Sequence, residues 1–416
     1  MILIKSNNNI KNIITKSLIV SIIGSTFIYF EYFSINNKTI NSILALIFIY
    51  YILTINKKII LFLIGFFTSI LWFWWVGISF KYYDLNYLIP FITILIGIIY
   101  GVIFYCFSII NNNIYIRALC IFIFSYIYPF NFNWFQIELL FINSHFGITK
   151  LDLILILLSM ILLNKFKNRY KVLFIIPLLI SIYLNQIKST VIKKPNIKIY
   201  TPQLNVNQNI KWNLEYKDFI IENNMKLIDN AIKNSYDLII LPESAFPIVL
   251  NDNKKILNIL KTKSNQIDIL TGSLYRKNDL YYNSNYYFSK QNIKIANKLV
   301  LVPFGEAIPL PQQIRNFLNN TFYNGAKDYE IAEKPTTFTI KGIKFRNAIC
   351  YEATTNTIFK DLKDIKYVIA ISNNAWFKPS IQHIIQNLLL KYYAKKYNIM
   401  IYHISNSTPN KIISPY

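Results

Sequence analysis

Charge is scarce in this chain. Of its 416 residues 15% are charged and 54% hydrophobic, with a mean hydropathy of +0.33. A soluble chain of this length carries more charge, so part of it must lie in lipid. Cysteine is scarcer still, with three in all. Cys106 and Cys120 fall inside apolar stretches of the first half, which leaves Cys350 as the single thiol of the remainder. A leftover cysteine in an extracytoplasmic domain points to a reactive group; the commoner fate of a lone cysteine is a small inert hydrophobe. Histidine is equally thin. His145 has no metal-ligand spacing to any partner and reads as a solvated loop residue, so no metal is expected. His383 and His403 lie late in the chain, outside any catalytic-histidine context, which disfavours a Cys–His mechanism. The 20 acidic residues fall far short of the 44 basic ones, giving a net charge of +24. No nucleic-acid motif accompanies that charge. The lysines are scattered through a composition rich in Ile, Asn, Lys and Tyr, so no nucleic-acid partner is expected, and attraction to anionic headgroups remains open.

What the first half does have is apolar runs. Up to about residue 190 they alternate with short polar breaks, as expected for a membrane domain spanning 1–190. Candidate spans are 13–33, 38–54, 59–80, 86–110, 114–131, 150–164 and 171–187, about seven helices near the ~20 residues a crossing needs. No small-residue cleavage pattern follows the first span in Glu31-Tyr32-Phe33-Ser34-Ile35, which reads as an uncleaved anchor. Basic residues favour one set of ends: Lys5, Lys11 and Lys16, then Lys57 and Lys58, Arg117, and Lys165, Lys167, Arg169 and Lys171. The alternate loops carry Lys38, Lys81 and Lys150. This bias puts the N-terminus in the cytoplasm and everything after residue 190 on the far side. The tract Leu71-Trp72-Phe73-Trp74-Trp75 reads as an interfacial aromatic belt in preference to a substrate-lining cluster.

After the linker Lys188–Pro195 the pattern changes. Short β-branched runs at 197–204, 236–241, 266–275, 285–289, 294–302, 336–341, 343–351, 367–372 and 399–404 read as strands. Residues 215–234 place Phe219, Ile220, Met225, Ile228 and Ile232 on one helical stripe, and 380–396 form a second helix. The alternation defines an α/β domain over 195–416. In such domains reactive groups gather at strand ends. Glu243 follows Leu238–Pro242, Lys298 lies in Ile295–Val300, and Cys350 closes Phe345–Ile349. Singly each is weak, since a post-strand carboxylate is usually a cap and an edge-strand lysine usually blocks aggregation. Together they form a chemical set. A thiol needs a base to take its proton or a cation to stabilise its thiolate. A buried carboxylate can be that base and an ammonium can also stabilise an oxyanion.

At these residues the chain resembles the nitrilase superfamily, and within it the membrane-anchored apolipoprotein N-acyltransferases. The carriers are Leu241-Pro242-Glu243-Ser244, Lys298 through Val302-Pro303-Phe304-Gly305-Glu306-Ala307-Ile308-Pro309, Ala348-Ile349-Cys350-Tyr351-Glu352, and Ile371–Phe377. The resemblance implies a multi-span helical membrane domain followed by an αββα sandwich. It implies Glu243 as general base, Lys298 as oxyanion stabiliser and Cys350 as nucleophile. Glu306, Tyr351 and Glu352 would support the site, and Trp212 would bind substrate. It departs from the family at Ile404–Pro409, where an asparagine-glycine turn is usual, and at Tyr416, which implies a shortened C-terminus lacking further strands and a last membrane helix.

The implied reaction is acyl transfer, without cofactor or metal, at the outer face of a bacterial inner membrane. A phospholipid, phosphatidylethanolamine foremost, would acylate Cys350. The α-amine of a diacylglyceryl apolipoprotein would then take the acyl chain. Two other readings stand beside it: a membrane-tethered nitrilase-type amidase with water as acceptor, and a non-catalytic transporter or scaffold.

Overall fold

The computed structural model describes all residues except 1, 109–112, 167, 188–190 and 323–327. Lys167, most of the expected linker start and the end of the expected span 86–110 lie outside the described residues. The chain divides into two compact units, one built from residues 1–190 with Pro379–Tyr392, the other from Val191–Lys378 with Tyr393–Tyr416.

The first unit is helical: α1 (Ile2–Ile23), α2 (Thr26–Tyr32), α3 (Lys38–Thr54), α4 (Lys58–Phe73), α5 (Leu88–Cys106), α6 (Ile114–Phe124), α7 (Lys150–Lys165) and α8 (Ile175–Ile187). Among the described residues two helices, Leu88–Cys106 and Arg169–Ile187, are long and apolar enough to cross a membrane, or up to four if each bent pair is one span. The expected span 13–33 is one such pair, bent by 52° at Gly24-Ser25. A Cβ at Gly24 would sit 2.4 Å from the Phe48 ring, so the bend seats the chain against α3. The expected span 59–80 bends by 53° after Phe73.

Membrane character shows in which faces are apolar. Helix α5 buries Gly97, Tyr100, Gly101 and Phe104, yet exposes Phe91, Ile94, Leu95, Ile98 and Val102. Apolar residues on the outward face suit hydrocarbon, not water. Gly97 and Gly101, four apart, let α5 lie directly on the Phe66 and Phe62 rings of α4. The expected aromatic belt is corrected: Trp72, Phe73 and Trp75 are 1%, 1% and 3% exposed. Trp72 stacks on Phe135 at 4.7 Å and donates its indole N–H to Ser25 Oγ at 3.2 Å, so the tract is core. Arg117 is not a loop residue either. It is buried in α6, and its guanidinium donates to the Leu53 and Ile55 carbonyls at 2.8 and 2.6 Å, satisfying the open end of α3.

The second unit contains two five-stranded sheets. Its elements are β1 (Ile199–Tyr200), α9 (Gln208–Lys211), α10 (Leu214–Lys233), β2 (Leu238–Ile240), α11 (Lys254–Lys263), β3 (Asp268–Lys277), β4 (Leu280–Ser289), β5 (Asn292–Asn297), α12 (Gln312–Phe322), β6 (Thr337–Ile340), β7 (Ile343–Ile349), β8 (Tyr367–Asn373), β9 (Met400–Asn406) and β10 (Lys411–Ile413), while α13 (Gln382–Tyr397) is divided between the two units at Tyr392. One sheet runs β1-β2-β3-β4-β5, the other β10-β9-β8-β7-β6. Strands β1, β2 and β3 are parallel, as are β7, β8 and β9.

Strand alternation builds the layers. Leu238, Ile240 and Leu270 face the second sheet's Phe345, Ile349, Ile369 and Ile371 in one core. Ile239, Leu241 and Ile269 face the opposite way, onto Ile221 and Ile228 of α10 and Leu260 of α11. This is a sandwich of two sheets with helices outside, and the αββα expectation holds. Phe219 departs from its expected stripe and is 62% exposed. The run 197–204 yields only the two residues of β1, while β10 had no counterpart among the expected strands.

Candidate active site

The parallel strands point their carboxyl ends the same way, and the reactive residues follow them there. Glu243 comes three residues after β2, Cys350 directly after β7, and Asn373 ends β8. Gly272 on β3 makes room for the first of these. A Cβ there would come within 2.5 Å of Ser244 N and 2.7 Å of Glu243 Cα.

Lys298 was expected within a strand running to Val302, but β5 stops at Asn297. The Lys298 N–H still donates to the Asn283 carbonyl at 2.8 Å, which fixes its side chain inward. It is 0% exposed, so it is no aggregation guard. Its ammonium lies 2.6 Å from Glu306 Oε2 and 3.7 Å from Glu243 Oε1. Glu306 is set by a tight turn: Phe304 has φ +62°, and the Glu306 carboxylate also accepts the Val302 N–H at 2.9 Å.

Glu243 is held from three sides. Its Oε1 accepts from Asn283 Nδ2 at 2.7 Å, and its Oε2 accepts from the Asn373 N–H at 2.8 Å. The same Asn283 amide donates to Glu306 Oε1 at 3.0 Å, bridging the two carboxylates. Asn373 is steadied by Gln208, whose Oε1 accepts its amide at 2.8 Å, and by Asn406 at 2.9 Å. None of Asn283, Asn373, Gln208 or Asn406 stood out in the sequence as a site residue. The one signal for Asn283 was an amide at an inward position of a tyrosine-rich strand.

Cys350 sits in left-handed backbone, φ +53°, between strand β7 and a short 3-10 turn. A side chain rarely adopts that conformation unless its surroundings impose it. Glu352 does so here. Its Oε1 accepts the Ile349 N–H at 2.7 Å, and its Oε2 accepts the Leu299 and Val300 N–H groups at 2.6 and 3.1 Å. One carboxylate thus ties the Cys350 turn to the residues after Lys298. Burial pushes Glu352 up to about 7, against the pull of those N–H groups and Lys298. Tyr351 beside it is 2% exposed.

Burial pushes the Cys350 thiol well above its ordinary value, Glu243 adds to that, and Lys298 opposes it. The resting sulfur therefore carries its proton. Lys298 shows the reverse balance: burial disfavours its charge, but Glu306, Glu243 and Cys350 outweigh burial and hold its pKa above the ordinary lysine range. A protonated thiol, a carboxylate and a fixed ammonium have been brought within electrostatic reach of one another. Such a set can deprotonate sulfur and stabilise an oxyanion.

The remaining expected residues lie elsewhere. Trp212 follows α9 and is 40% exposed. His145 is exposed, 3.1 Å from Thr39 Oγ1. His403 is buried, its Nε2 2.9 Å from Ser372 Oγ. Among the described residues no cluster of three His, Cys, Asp or Glu side chains could hold a metal. In the stretch Ile404–Pro409, read as departing from an asparagine-glycine turn, Ser407 after Asn406 has φ +71°.

Fold and site together define a carbon–nitrogen hydrolase domain carried on a helical membrane domain. Comparison with known families agrees, with the apolipoprotein N-acyltransferase integral membrane domain matching residues 10–184 and carbon-nitrogen hydrolase matching residues 206–402. The apolipoprotein N-acyltransferase of Wolinella succinogenes is 40% identical over 96% of this chain and 96% of its own length. That of Helicobacter pylori is 37% identical over 85% and 83%, and that of Campylobacter jejuni 33% over 99% and 91%. The chain belongs to the apolipoprotein N-acyltransferase family. It is an acyltransferase of a bacterial membrane.

Proposed function

We propose that this enzyme N-acylates the N-terminal S-diacylglyceryl-cysteine of lipoproteins, through a thioester on Cys350. The observation that carries the reading is Cys350 in left-handed backbone beside a carboxylate, Glu243, and an ammonium, Lys298. Glu243 takes the thiol proton, and the sulfur attacks the ester carbonyl of a phospholipid, phosphatidylethanolamine foremost. Lys298 stabilises the oxyanion of the tetrahedral intermediate. Collapse breaks the ester C–O bond, and Glu243 returns the proton to the departing lysophospholipid oxygen. In the second half the acceptor α-amine attacks the thioester and gives its proton to Glu243. The C–S bond breaks, the thiol is restored and an amide remains. Ester to thioester to amide ends downhill, so no nucleotide is consumed. Glu306 keeps Lys298 in place, Tyr351 and Glu352 shape the nucleophile turn, and Trp212 contacts substrate.

On the same reading residues 1–190 form a multi-pass domain of about seven spans in the inner membrane. The N-terminus is cytoplasmic and residues 195–416 are periplasmic. A reporter fused near residue 200 is then active only outside the cytoplasm, and one near Arg169 only inside. The opposite pattern overturns the compartment.

The test of the chemistry is the covalent intermediate. Purified enzyme incubated with phospholipid and no acceptor carries one acyl chain, labile to neutral hydroxylamine. Cys350→Ala carries none, while Cys106→Ala and Cys120→Ala load normally. Label persisting on Cys350→Ala, or absent with every phospholipid, ends the acyltransferase reading, and ammonia release from small amides would then support the amidase.

A further inference from the structure

Lys211 has no part in the reaction just described, yet it is 2% exposed and lies against the base. It ends α9, a single turn capped by Asn207, whose side chain accepts the Asn209 N–H at 3.2 Å. The Lys211 ammonium donates to the Glu243 main-chain carbonyl at 3.0 Å. The next residue, Ser244, has φ +50°, a backbone turn that directs this carbonyl away from the strand. Gln208, one turn earlier on α9, supports Asn373, whose N–H holds the Glu243 carboxylate. The same short helix therefore grips both the backbone and the carboxylate end of Glu243.

Packing alone does not account for a lysine here. A buried ammonium costs several kcal/mol in lost hydration unless charge repays it. A neutral donor could make the bond to a carbonyl equally well. Burial accordingly pulls Lys211 down to about 8, and the one charge that opposes this is Glu243. Lys211 remains an ammonium at neutral pH. On the other side of Glu243, Lys298 is engaged primarily by Glu306, at 2.6 Å against 3.7 Å.

We propose that Lys211 is a positioning residue for the general base: its ammonium fixes the Glu243 turn and sets a second positive charge beside the carboxylate that is to accept the thiol proton. The charged and titratable groups around Glu243 are Lys211, Lys298, Cys350 and, through the shared Asn283 amide, Glu306. Removing the Lys211 charge shifts that balance toward negative charge, which favours a proton bound within the cluster. The inference rests on the thioester reading above.

Single-turnover loading of Cys350 from phospholipid vesicles, followed from pH 5 to 9, tests it. Amplitude counts competent enzyme and the rate constant reports proton removal, so partial misfolding does not mimic the effect. Lys211→Gln keeps a donor without the charge, Lys211→Met removes both, and Lys211→Arg keeps the charge. The expected result for Gln and Met is an acid limb moved to higher pH, with loading about tenfold slower near neutrality. The phospholipid concentration for half-maximal rate stays unchanged, and Lys211→Arg returns toward wild type. An unmoved limb in Lys211→Gln and Lys211→Met overturns the inference. So does loss of all folded protein in both neutral variants while Lys211→Arg folds, because the ammonium would then serve folding alone. If wild type itself does not load, the thioester reading fails instead.

Discussion

The Lys298 ammonium belongs to Glu306: Nζ lies 2.6 Å from Glu306 Oε2, against 3.7 Å from Glu243 Oε1. Two carboxylates flank one cation, and the closer one is Glu306, not the Glu243 proposed as base. Glu306 thereby occupies the lysine without Glu243 having to, which on the proposed mechanism leaves Glu243 a lone pair for the thiol proton. In Glu306→Ala the ammonium is expected to close on Glu243, slowing single-turnover loading of Cys350 by at least about tenfold. Glu306→Gln retains an acceptor for the Val302 N–H and is milder. Loading at the wild-type rate in Glu306→Ala would falsify this division of labour.

Asn283 makes the arrangement stable by donating one amide nitrogen to both carboxylates, at 2.7 and 3.0 Å. Asn283→Ala strips a donor from the buried Glu243 and the half-buried Glu306, a cost of about 1–3 kcal/mol for a buried group left unsatisfied. Loading is expected to fall about 10- to 100-fold, and Asn283→Asp, which brings a third carboxylate, to fall further. Equal rates for the Asn and Asp enzymes would show that the bridge has no catalytic weight.

Gly272 tests the geometry from behind. An alanine Cβ cannot share space with Ser244 N at 2.5 Å and Glu243 Cα at 2.7 Å, both backbone atoms. Gly272→Ala must therefore displace the Glu243 turn. Loading drops while the helical unit still folds, as read by thermal unfolding in detergent. Undiminished loading would mean that the turn tolerates displacement.

Glu352 gives a pH dependence of stability. Its value lies near 7 in the folded protein, against 4.5 ordinarily, because it is buried. Between those values the native state holds a proton that the unfolded chain has lost. Stability from this residue is then fully present below about pH 4.5, declines as pH rises to about 7, and is flat above. Thermal midpoints of wild type and Glu352→Gln, compared from pH 5 to 8, should differ by an amount that changes across that window. A constant difference would sink the assignment.

Much of this protein was legible as a string of residues. Apolar runs disclosed the membrane half, because hydrocarbon demands long stretches without charge. Period-two runs disclosed most strands of the second half, because a sheet between two layers needs alternation. Glu243 and Cys350 drew attention because each stands where such a run breaks off, whereas Lys298, read inside a strand, lies just past its end. Their surrounding motifs also pointed to the family to which the chain belongs.

Other features were decided by the tertiary structure. Trp72 and Arg117 look like belt and loop residues until the helices pack, since burial depends on neighbours that linear spacing does not reveal. The bends after Ile23 and Phe73 follow from contacts with other helices. The Asn283 bridge, the Asn373 N–H on Glu243, the Glu352 tie and the buried Lys211 join residues between 3 and 130 positions apart. A hydrogen bond is specified by distance and direction in three dimensions, and only the closed sandwich brings those donors and acceptors together. The order of residues supplied the groups of the site; the fold, by setting their distances, decided that Glu306 rather than Glu243 holds the lysine.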